Sequence, residues 1–561
     1  MSDLRFGGGA ASPVEVTILD SVLPVGSARD QLLPALHALN DTVGWISRPA
    51  LDEIGRRTGV APAVGYGVAS FYAMFSTQPR PPRVAYICDD VPCRLAGAAA
   101  IIEQVENGWA ERVDRDGLTW ERSPCLGLCD HAPAALVDRA ARPRFSPGDL
   151  RAPAPPGPPP PTTGVIGEPR LLARIGARVD PEDVSAFRAA GGLAGLRRAA
   201  ELGPEATIAE VKASGLIGRG GAAFPAAIKW EAVARHPVRP HYLVINADES
   251  ETGTFKDRVL LEGDPYAVLE GAAIAAFACG VERVFIYLRG EYPHAEQRIL
   301  AALAELGRRQ WFGLPMVAGF EVRRGAGAYI CGEETALFNS IEGNRGEPRS
   351  KPPFPVNSGL FGKPTVINNV ETIANIPLIL AEGGAAYRRV GTEQSPGTKL
   401  FAVCGHVARP GVYEVPFGTT MRALLDLAGG VVGRLQAVQC GGAAGTFLTP
   451  SDLDLSLAFE SLRVRGATVG SGAVVVINET VDLMEVVKRG AEFFAHESCG
   501  QCVPCRVGTQ RQVELLERRA AGEDVDPLLA EVAQVMRDAS ICGLGQTAAS
   551  MVQSALKEFS W

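Results

Sequence analysis

Apolar residues recur with two different periods along this chain, and the changes of period divide it into segments. Near the amino terminus, helical spacing predicts helices at 28–40, 48–58 and 95–110. Two short apolar runs, one ending at Cys88 and one at 118–121, predict strands. Helices and strands in alternation indicate a small α/β domain, which we place at residues 1–141.

Residues 142–165 form the strongest break in this pattern. Between Arg142 and Pro161 the sequence reads RPRFSPGDLRAPAPPGPPPP and contains nine prolines. Proline fixes φ and donates no backbone hydrogen bond, so such a run favours an extended, semi-rigid chain. We therefore expect a linker between the first domain and the rest of the protein.

The remainder of the chain shows three further patterns. Strand-like runs at 242–246 and 284–288 alternate with helices and predict an α/β domain over 166–395. Strand-rich sequence within 396–482 predicts a small β-rich domain, and helical periodicity dominates 483–561. The chain is thus expected to be an α/β multidomain protein.

Length and composition agree with this organisation. A chain of 561 residues exceeds what one hydrophobic core supports. Its net charge of −8 argues against a nucleic-acid partner. The amino terminus has no apolar signal segment, and the most apolar stretch, 271–280, is too short to cross a bilayer. We expect a soluble, cytoplasmic protein with no direct membrane insertion.

The first of two tight cysteine groups joins a C-x4-C pair, Cys88 and Cys93, to a C-x3-C pair, Cys125 and Cys129. A reducing compartment disfavours disulfides, so grouped cysteines indicate metal or cluster ligands. Four thiolates in two pairs can hold a [2Fe–2S] cluster or a structural zinc ion. Because zinc sites favour two-residue spacings, the wider gaps favour the cluster. Zinc and buried structural cysteines stay open as alternatives.

The second group is more specific. Cys499, Cys502 and Cys505 form C-x2-C-x2-C, and Cys542 follows within SICGLGQ. Three thiolates on one turn with a remote fourth suit a [4Fe–4S] cluster, although zinc could use the same residues. The remaining cysteines, which have no such spacing, are expected to pack in cores: Cys279, Cys331, Cys404 and Cys440.

A glycine-rich segment, GRGGAAFPAAIKW at 218–230, could bind phosphate. Its glycines let backbone amides approach an anion closely, and Arg219 and Lys229 add positive charge. An ordinary surface loop is an equally open interpretation. Neither this segment nor GAGAYICG at 325–332 fits G-x-G-x-x-G, so a nucleotide here would be bound without a Rossmann fold.

An acidic segment follows, NADESETGTFKDR at 246–258, with four carboxylates. A solvated acidic loop is the simplest interpretation. The functional one is that these carboxylates accept hydrogen bonds from ribose hydroxyls or from amide donors of a flavin or nicotinamide.

These blocks, with GAGAYICGEETALFNSIEG at 325–343, RGEPRSKPPFP and PTVINNVET, resemble the FMN- and NADH-binding 51-kDa-type subunit of complex I. They also resemble the diaphorase subunits of NAD-reducing hydrogenases and NAD-dependent formate dehydrogenases. CDDVPC and SPCLGLCDHAP resemble the 24-kDa-type [2Fe–2S] ferredoxin, which extends the resemblance to nearly the whole chain.

The resemblance implies four folded units. These are a thioredoxin-like ferredoxin domain, a non-Rossmann α/β flavin domain, a small β-rich (ubiquitin-like) domain and a C-terminal helical iron–sulfur domain. It also implies FMN, NAD, one [2Fe–2S] and one [4Fe–4S] cluster as cofactors.

The resemblance further assigns residues to each part of the site. The FMN phosphate and ribityl chain would contact Gly218, Arg219, Gly220 and Lys229. The flavin ring would be lined by Asn246, Asp248, Glu249, Ser250, Tyr329, Gly332, Glu333, Asn368 and Asn369. The dinucleotide would contact Phe224, Glu251, Glu334, Lys351 and Phe354. The cluster ligands would be Cys88, Cys93, Cys125, Cys129, Cys499, Cys502, Cys505 and Cys542.

Two positions depart from the family pattern. Thr252 replaces the proline that usually follows the acidic residue, which could alter the loop near Glu251. The family often has a further aromatic after KW, where this chain has Ala232 and Val233, so the adenine site could be looser.

The chain is expected to exchange electrons with a partner subunit. NADH releases a hydride while clusters accept single electrons, and FMN handles both, so no side chain is expected to be a catalytic acid or base. Acidic residues near the nicotinamide favour NAD(H) over NADP(H). The chain has no motif for a molybdopterin, a nickel site or a quinone pocket, so substrate oxidation is expected on another subunit. The segments MRDASICGLGQ and SPCLGLCDHAP resemble the β subunit of molybdenum- or tungsten-dependent formate dehydrogenase, which implies a partner carrying molybdopterin and further iron–sulfur clusters. The alternatives are hydrogenase subunits, a complex I-like NADH dehydrogenase, or a non-enzymatic electron-transfer subunit.

Overall fold

The computed structural model describes residues 9–108, 117–155, 157–314 and 319–559. Trp109 and Ala110, at the end of the helix expected over 95–110, lie outside these ranges. The first eight and the last two residues of the chain also lie outside these ranges.

The first domain is a helical segment followed by a four-stranded sheet. Its helices are α1 (Pro13–Val22), α2 (Leu32–Val43), α3 (Arg48–Thr58), α4 (Pro62–Ala69), α5 (Val91–Leu95) and α6 (Ala98–Gly108). Its strands are β1 (Arg83–Cys88), β2 (Leu118–Ser123), β3 (Ala135–Val137) and β4 (Ala140–Arg142). The order is β2-β1-β3-β4, with β1 parallel to β2 and antiparallel to β3. Because Cys88 pairs with Ser123 in register, both cysteine pairs begin at the same sheet edge.

Less of the proline-rich segment 142–165 serves as a linker than its composition predicts. Phe145 and Leu150 are buried in the core of the first domain. Arg142 donates hydrogen bonds to the carbonyls of Ala152 and Pro153, which proline-rich chain cannot satisfy with its own amides. Strand β5 (Thr163–Val165) then pairs with a strand of the β-rich domain. Both ends of the segment therefore belong to folded domains.

The flavin domain is a parallel sheet surrounded by helices. Its strands are β6 (Tyr242–Ala247), β7 (Arg283–Leu288), β8 (Gly319–Arg324) and β9 (Thr365–Asn369). Its helices are α7 (Ala173–Gly176), α8 (Val184–Ala189), α9 (Ala194–Leu202), α10 (Pro204–Ser214), α11 (Ala226–Ala234), α12 (Lys256–Gly263), α13 (Pro265–Cys279), α14 (Pro293–Arg308), α15 (Glu334–Ile341), α16 (Pro355–Ser358), α17 (Val370–Ala374), α18 (Ile376–Glu382) and α19 (Gly384–Arg388). The apolar stretch noted in the sequence is part of α13, which is buried on nearly every side.

The strand order of this sheet determines where a ligand can bind. All neighbours are parallel and the order is β8-β7-β6-β9, so the chain runs outward from β6 in one direction and returns on its other side. In open parallel sheets, ligands bind where the order reverses, beyond the carboxyl ends of the strands. That point lies between β6, which ends at Ala247, and β9, which ends at Asn369.

The β-rich domain is built on a six-stranded mixed sheet. Its elements are β10 (Thr398–Gly405), β11 (Gly411–Pro416), α20 (Met421–Leu427), β12 (Leu435–Cys440), β13 (Thr446–Leu448), α21 (Phe459–Arg465) and β14 (Ala473–Asn478). The strand order is β13-β12-β14-β10-β11-β5. Successive side chains of a strand face opposite sides. On β10, Phe401 and Val403 therefore face the domain's own core, while Leu400, Ala402 and Cys404 face the flavin and ferredoxin domains.

Five helices complete the chain: α22 (Leu483–Glu497), α23 (Val503–Ala520), α24 (Asp526–Ala539), α25 (Gly543–Thr547) and α26 (Ser550–Glu558). Cys502 is the N-cap of α23, and Cys542 is the N-cap of α25. The sequence thus places two cysteines of the second group at helix starts, where backbone N–H groups are free to face them.

The domains share buried cores and direct polar contacts. Tyr72 of the first domain donates a hydrogen bond to Ser340 of the flavin domain. Arg258 forms a buried ion pair with Asp130 at 2.7 Å. Across the described residues, no helix combines the length and hydropathy needed to span a bilayer.

Candidate functional site

A cavity of about 420 Å³ lies at the point where the strand order of the flavin domain reverses. Its walls come from the glycine loop, the acidic loop, the 329–333 segment, the β-rich domain and the start of α25. Ten of the sequence-predicted residues line it: Gly220, Asn246, Asp248, Glu249, Ser250, Glu251, Tyr329, Gly332, Glu333 and Asn369. Its volume is that of a site for a small organic cofactor.

The glycine loop forms one wall with backbone atoms. Gly218 donates its N–H to Phe224 O at 2.9 Å, which folds 218–224 into a tight turn. A Cβ built on Gly220 would stand 3.0 Å from Asn369 Cβ, and Gly221 has φ +123° beside Gly470. Side chains at these two positions would fill the gap between loop and neighbours, so glycine keeps the cavity open there.

The acidic loop forms the opposite wall. Asn246 donates to Gly332 O at 2.9 Å and thereby ties the end of β6 to the 329–333 segment. Ser250 Oγ donates to Asp248 Oδ2 at 2.8 Å. Glu249 accepts the backbone N–H groups of Asp257 and Arg258 at the start of α12. These bonds fix the direction of each carboxylate without a bound ligand.

Burial raises the pKa of three of these carboxyl groups to near neutral pH. Desolvation raises the pKa of Asp248 to about 7, with Arg289 acting in the opposite direction. Burial, with the charge of Asp257, raises the pKa of Glu249 to about 7. Burial also raises the pKa of Glu251 to about 7, although Tyr329 donates to it. The cavity therefore changes its charge near neutral pH.

A buried charge cluster beneath the cavity was not predicted from the sequence. Lys256 and Asp257 line the cavity and form an ion pair at 2.7 Å. Glu371 lies 3.1 Å from Lys256 and 2.5 Å from Lys399. Burial lowers the pKa of Lys399 to about 7, and Glu371 opposes that shift. Lys256 and Asp257 belong to the acidic segment, but nothing local indicated Lys399, which β10 delivers from another domain.

Five of the predicted dinucleotide and phosphate residues lie outside the main cavity. Phe224 and Phe354 are about half exposed. Lys229 lies 5.7 Å from the Phe224 ring centre and 3.7 Å from Glu334. Lys351 pairs with Glu334 at 2.5 Å and with Glu333 at 2.9 Å. Since Glu333 lines the cavity, a series of contacts runs outward from it through Lys351, Glu334 and Lys229 to the exposed Phe224 ring.

Three predicted residues have other surroundings. The Arg219 guanidinium is fully buried and donates to Tyr387 and Pro396 O, so its charge does not face the cavity as the sequence prediction assumed. Asn368 is buried and accepts from Trp230. Gly218 acts through the turn described above. These residues support the walls of the cavity.

The first cysteine group forms a continuous set of sulfur contacts, and all four thiols are buried. Cys125 and Cys129 Sγ atoms lie 3.2 Å apart. Cys88 contacts both Cys93 and Cys125. Gly127 donates its N–H to Cys125 Sγ at 3.4 Å. Four thiols with a backbone donor fit the cysteine ligation of a [2Fe–2S] cluster.

Flavin-domain side chains hold this first group in place. Arg289 donates to Cys125 O and Glu249 O, both at 2.6 Å, and so joins the cysteine loop to the cavity wall. Thr252 donates to Asp90 at 2.7 Å. The threonine that replaces the family's proline thus makes a contact between domains.

The second cysteine group adjoins the cavity on its other side. Burial raises the pKa of Cys505 to about 12, and Cys502, Cys542 and Cys499 act on it in the same direction because the four thiols converge. Burial raises the pKa of Cys542 to about 11, and the backbone N–H groups of Gly545 and Leu544 act in the opposite direction. Convergent thiols with backbone donors fit a [4Fe–4S] cluster. Leu544 also lines the cavity.

The chain matches four family patterns that agree with this geometry. They are the thioredoxin-like [2Fe–2S] ferredoxin at 19–152, the Nuo51 FMN-binding domain at 211–378, the SLBB domain at 400–442 and the iron–sulfur binding region of NADH-ubiquinone oxidoreductase F at 485–561. The FMN, NAD, [2Fe–2S] and [4Fe–4S] predictions and the fold class are thereby confirmed.

Curated relatives match between 70% and 95% of the chain. The F 2 subunit of the NADH-quinone oxidoreductase of Rhizobium meliloti (strain 1021) is 42% identical over 70% of this chain and 96% of its own length. The NAD-reducing hydrogenase HoxS subunit alpha of Cupriavidus necator (strain ATCC 17699) is 36% identical over 95% and 91%. The NADP-reducing hydrogenase subunit HndC of Solidesulfovibrio fructosivorans is 40% identical over 70% and 82%.

A solved structure shows the same arrangement. A chain of the NAD⁺-reducing [NiFe]-hydrogenase in the air-oxidized state superposes with a TM-score of 0.82 at 35% identity. The match covers 94% of this chain and 91% of that one.

Proposed function

Because the chain belongs to the family of NADH-quinone oxidoreductase F subunits and NAD-reducing hydrogenase alpha subunits, we propose that it exchanges electrons between NAD(H) and a separate catalytic subunit. The chain is an NAD-dependent flavin and iron–sulfur oxidoreductase subunit. The observation that carries the proposal is the position of one cavity between two cysteine groups. Arg289 joins the cavity to the first group, and Leu544 joins it to the second.

The chain's own residues hold the cofactor and exclude water. Gly220 and Gly221 would offer backbone to the FMN, and Asn246, Asp248 and Asn369, which line the same cavity, would bind its polar groups. FMN, when bound, supplies the conversion between a two-electron hydride and single electrons. Within the described residues that line the cavity there is no histidine. The side chains therefore bind and orient the reactants, and the carboxyls of Asp248, Glu249 and Glu251 are the lining groups whose pKa is raised to about 7.

The dinucleotide is proposed to extend outward from this cavity. Glu251 and Glu333 stand at its inner end, and Lys351 with Glu334 continues toward the exposed Phe224 and Phe354. Aromatic rings at half exposure suit stacking on an adenine. The carboxylates around the ribose disfavour a 2′-phosphate by like-charge repulsion, so NADH is preferred over NADPH.

We propose a hydrogenase as the partner. The HoxS alpha subunit matches nearly the full length of both chains, including the fused ferredoxin domain. Formate oxidation by a molybdopterin-containing subunit, which the segments SICGLGQ and SPCLGLCDHAP suggested, stays a prediction that no comparison tests. A complex I-like partner is the third possibility, since the F subunits match the flavin part.

Two assays test the proposal. The isolated chain should bind FMN noncovalently and reduce an artificial acceptor with NADH, and finding FAD or no flavin would contradict it. The complex purified from its source should then reduce NAD⁺ when given H₂. NAD⁺ reduction with formate instead of H₂ would replace the hydrogenase by a formate dehydrogenase partner, while leaving the proposed electron exchange of this chain intact.

A further inference from the structure

Glu497 is a buried carboxylate that the sequence analysis did not select. It is the last residue of α22, two positions before Cys499 of the second cysteine group, and it is 8% exposed. One of its oxygens, Oε2, accepts the backbone N–H of Tyr329 at 2.9 Å. Tyr329 lines the cavity. Glu497 therefore connects the helical iron–sulfur domain directly to a wall of the flavin site.

Tyr329 begins a short 3-10 turn, and both ends of that turn are held by hydrogen bonds. Glu497 holds the first end, and Asn246 holds the last by donating to Gly332 O at 2.9 Å. The Tyr329 ring also packs edge-to-face on Phe493, with ring centres 5.1 Å apart. Phe493 belongs to α22, as Glu497 does. One helix thus positions both the backbone and the ring of Tyr329.

The hydroxyl of Tyr329 reaches the residue proposed to bind the dinucleotide. It donates to Glu251 Oε2 at 2.6 Å, at the corner where Glu251 also accepts the N–H of Ala444. A series of contacts therefore runs from Glu497 through Tyr329 to Glu251. Because a hydrogen bond weakens steeply with distance and angle, a displacement of the Tyr329 backbone also loosens the bond to Glu251.

We propose that Glu497 is a positioning residue for NADH, which holds the Tyr329 backbone so that the Tyr329 hydroxyl keeps Glu251 directed at the dinucleotide. Glu497 is not among the residues that line the cavity, so it acts only through Tyr329. No electron or proton passes through it. The inference rests on the proposed function, since it requires NADH to bind beside Glu251. It makes nucleotide affinity depend on how α22 packs against the flavin domain.

The test is a double-mutant cycle on the full chain with FMN and both clusters bound, measured as kcat and the KM for NADH with an artificial electron acceptor. We expect Glu497→Ala to raise the KM about fivefold, the equilibrium effect of one hydrogen bond, with kcat close to wild type. Tyr329→Phe removes only the hydroxyl and should raise the KM similarly. The double variant should show no further increase, because both changes break the same series of contacts.

Two further variants separate positioning from a general structural role. Glu497→Gln keeps an acceptor oxygen at the same reach, so its KM should return close to wild type. Glu485→Ala, at an exposed position of the same helix, is the matched control. If Glu497→Ala does not fold or loses the [4Fe–4S] EPR signal, Glu497→Asp takes its place. Its shorter side chain withdraws the acceptor, and it must raise the KM.

Three kinetic outcomes would overturn the proposal. They are an unchanged KM in Glu497→Ala, an equal rise in the alanine and glutamine variants, and additive effects in the double variant. Loss of the [4Fe–4S] signal from both the alanine and the aspartate variants would also overturn it, since Glu497 would then retain the cluster instead of positioning Tyr329. A wild-type chain whose flavin is not reduced by NADH would remove the proposed function itself, and this inference with it.

Discussion

Tyr329 donates a 2.6 Å hydrogen bond from its phenolic hydroxyl to Glu251 Oε2 at one corner of the cavity. The other carboxylate oxygen of Glu251 accepts the N–H of Ala444, which comes from the β-rich domain. The carboxylate is therefore fixed between the flavin domain and the β-rich domain, beside the position proposed for the dinucleotide.

Replacement of Glu251 should affect the nucleotide and spare the flavin. We expect Glu251→Ala to weaken NADH binding by about 1–3 kcal/mol, the cost of losing a buried hydrogen bond to a charged group. The measurement is an NADH titration of flavin reduction, with FMN content read from absorbance. Glu282→Ala, at an exposed position, is the control. Loss of FMN from the Glu251 variant would contradict the assignment.

NADH binding should weaken as pH rises through neutrality. Asp248, Glu249 and Glu251 have pKa values raised to about 7, so they are largely protonated below that pH and charged above it. NADH carries negative phosphates, and added negative charge in the cavity repels it. We expect its dissociation constant to rise between about pH 6 and about pH 8. Glu251→Gln should flatten this dependence, and an unchanged slope would refute it.

The same carboxyls predict how folding stability varies with pH. In an unfolded chain they ionise near pH 4, whereas in the folded chain they keep their protons to about pH 7. The folded state binds more protons between these values, so stability falls as pH rises from about 4 to about 7. Thermal unfolding of the FMN-free chain should show this decrease across that range. A smaller slope is expected for Glu251→Gln.

The two cysteine groups should lose their signals independently. Metal analysis should give about six irons per chain, two from the [2Fe–2S] cluster and four from the [4Fe–4S] cluster. Cys88→Ser should remove the [2Fe–2S] EPR signal and leave the [4Fe–4S] signal. Cys502→Ser should do the reverse and still allow NADH to bleach the flavin. Loss of the [4Fe–4S] signal in Cys88→Ser would show that the cysteines are wrongly grouped.

Gly127 permits the close contact between the cysteine loop and the flavin domain. It has φ +67°, and a Cβ at this position would stand 2.1 Å from the Tyr292 hydroxyl. Gly127→Ala should destabilise the protein by about 1–3 kcal/mol through overpacking, and reduce [2Fe–2S] retention. Gly108→Ala, where a Cβ meets open space, should leave both unchanged. Thermal unfolding and the EPR signal intensity measure the two effects.

Local spacing was enough to predict most of the candidate site. Both cysteine groups could be recognised because residues that would bind one cluster recur within a few positions, and the acidic loop because its carboxylates are close together in sequence. Lys399 was not found, since its contact with Glu371 depends on β10 docking against another domain. The sequence also did not predict the direction of the Arg219 side chain, which donates hydrogen bonds to Tyr387 and Pro396 O.

The fold was predicted at the level of domains more accurately than at their junctions. The 142–165 segment has the composition of a linker, yet Phe145 and Leu150 pack in the first domain. Strand β5 has three residues, too few to show the period of two that identifies a strand. Its pairing with β11 depends on residues far along the chain.

That pairing makes the β-rich domain discontinuous, with the entire flavin domain inserted between β5 and β10. During synthesis, β5 leaves the ribosome long before its neighbour exists, so the sheet cannot close until the inserted domain has been made. Contacts so distant in sequence slow folding. A truncated chain that begins after residue 165 would also leave the edge of β11 uncovered, and an uncovered edge invites pairing with another chain. Dissection of this protein into separately expressed parts should therefore keep residues 163–165 with the C-terminal part.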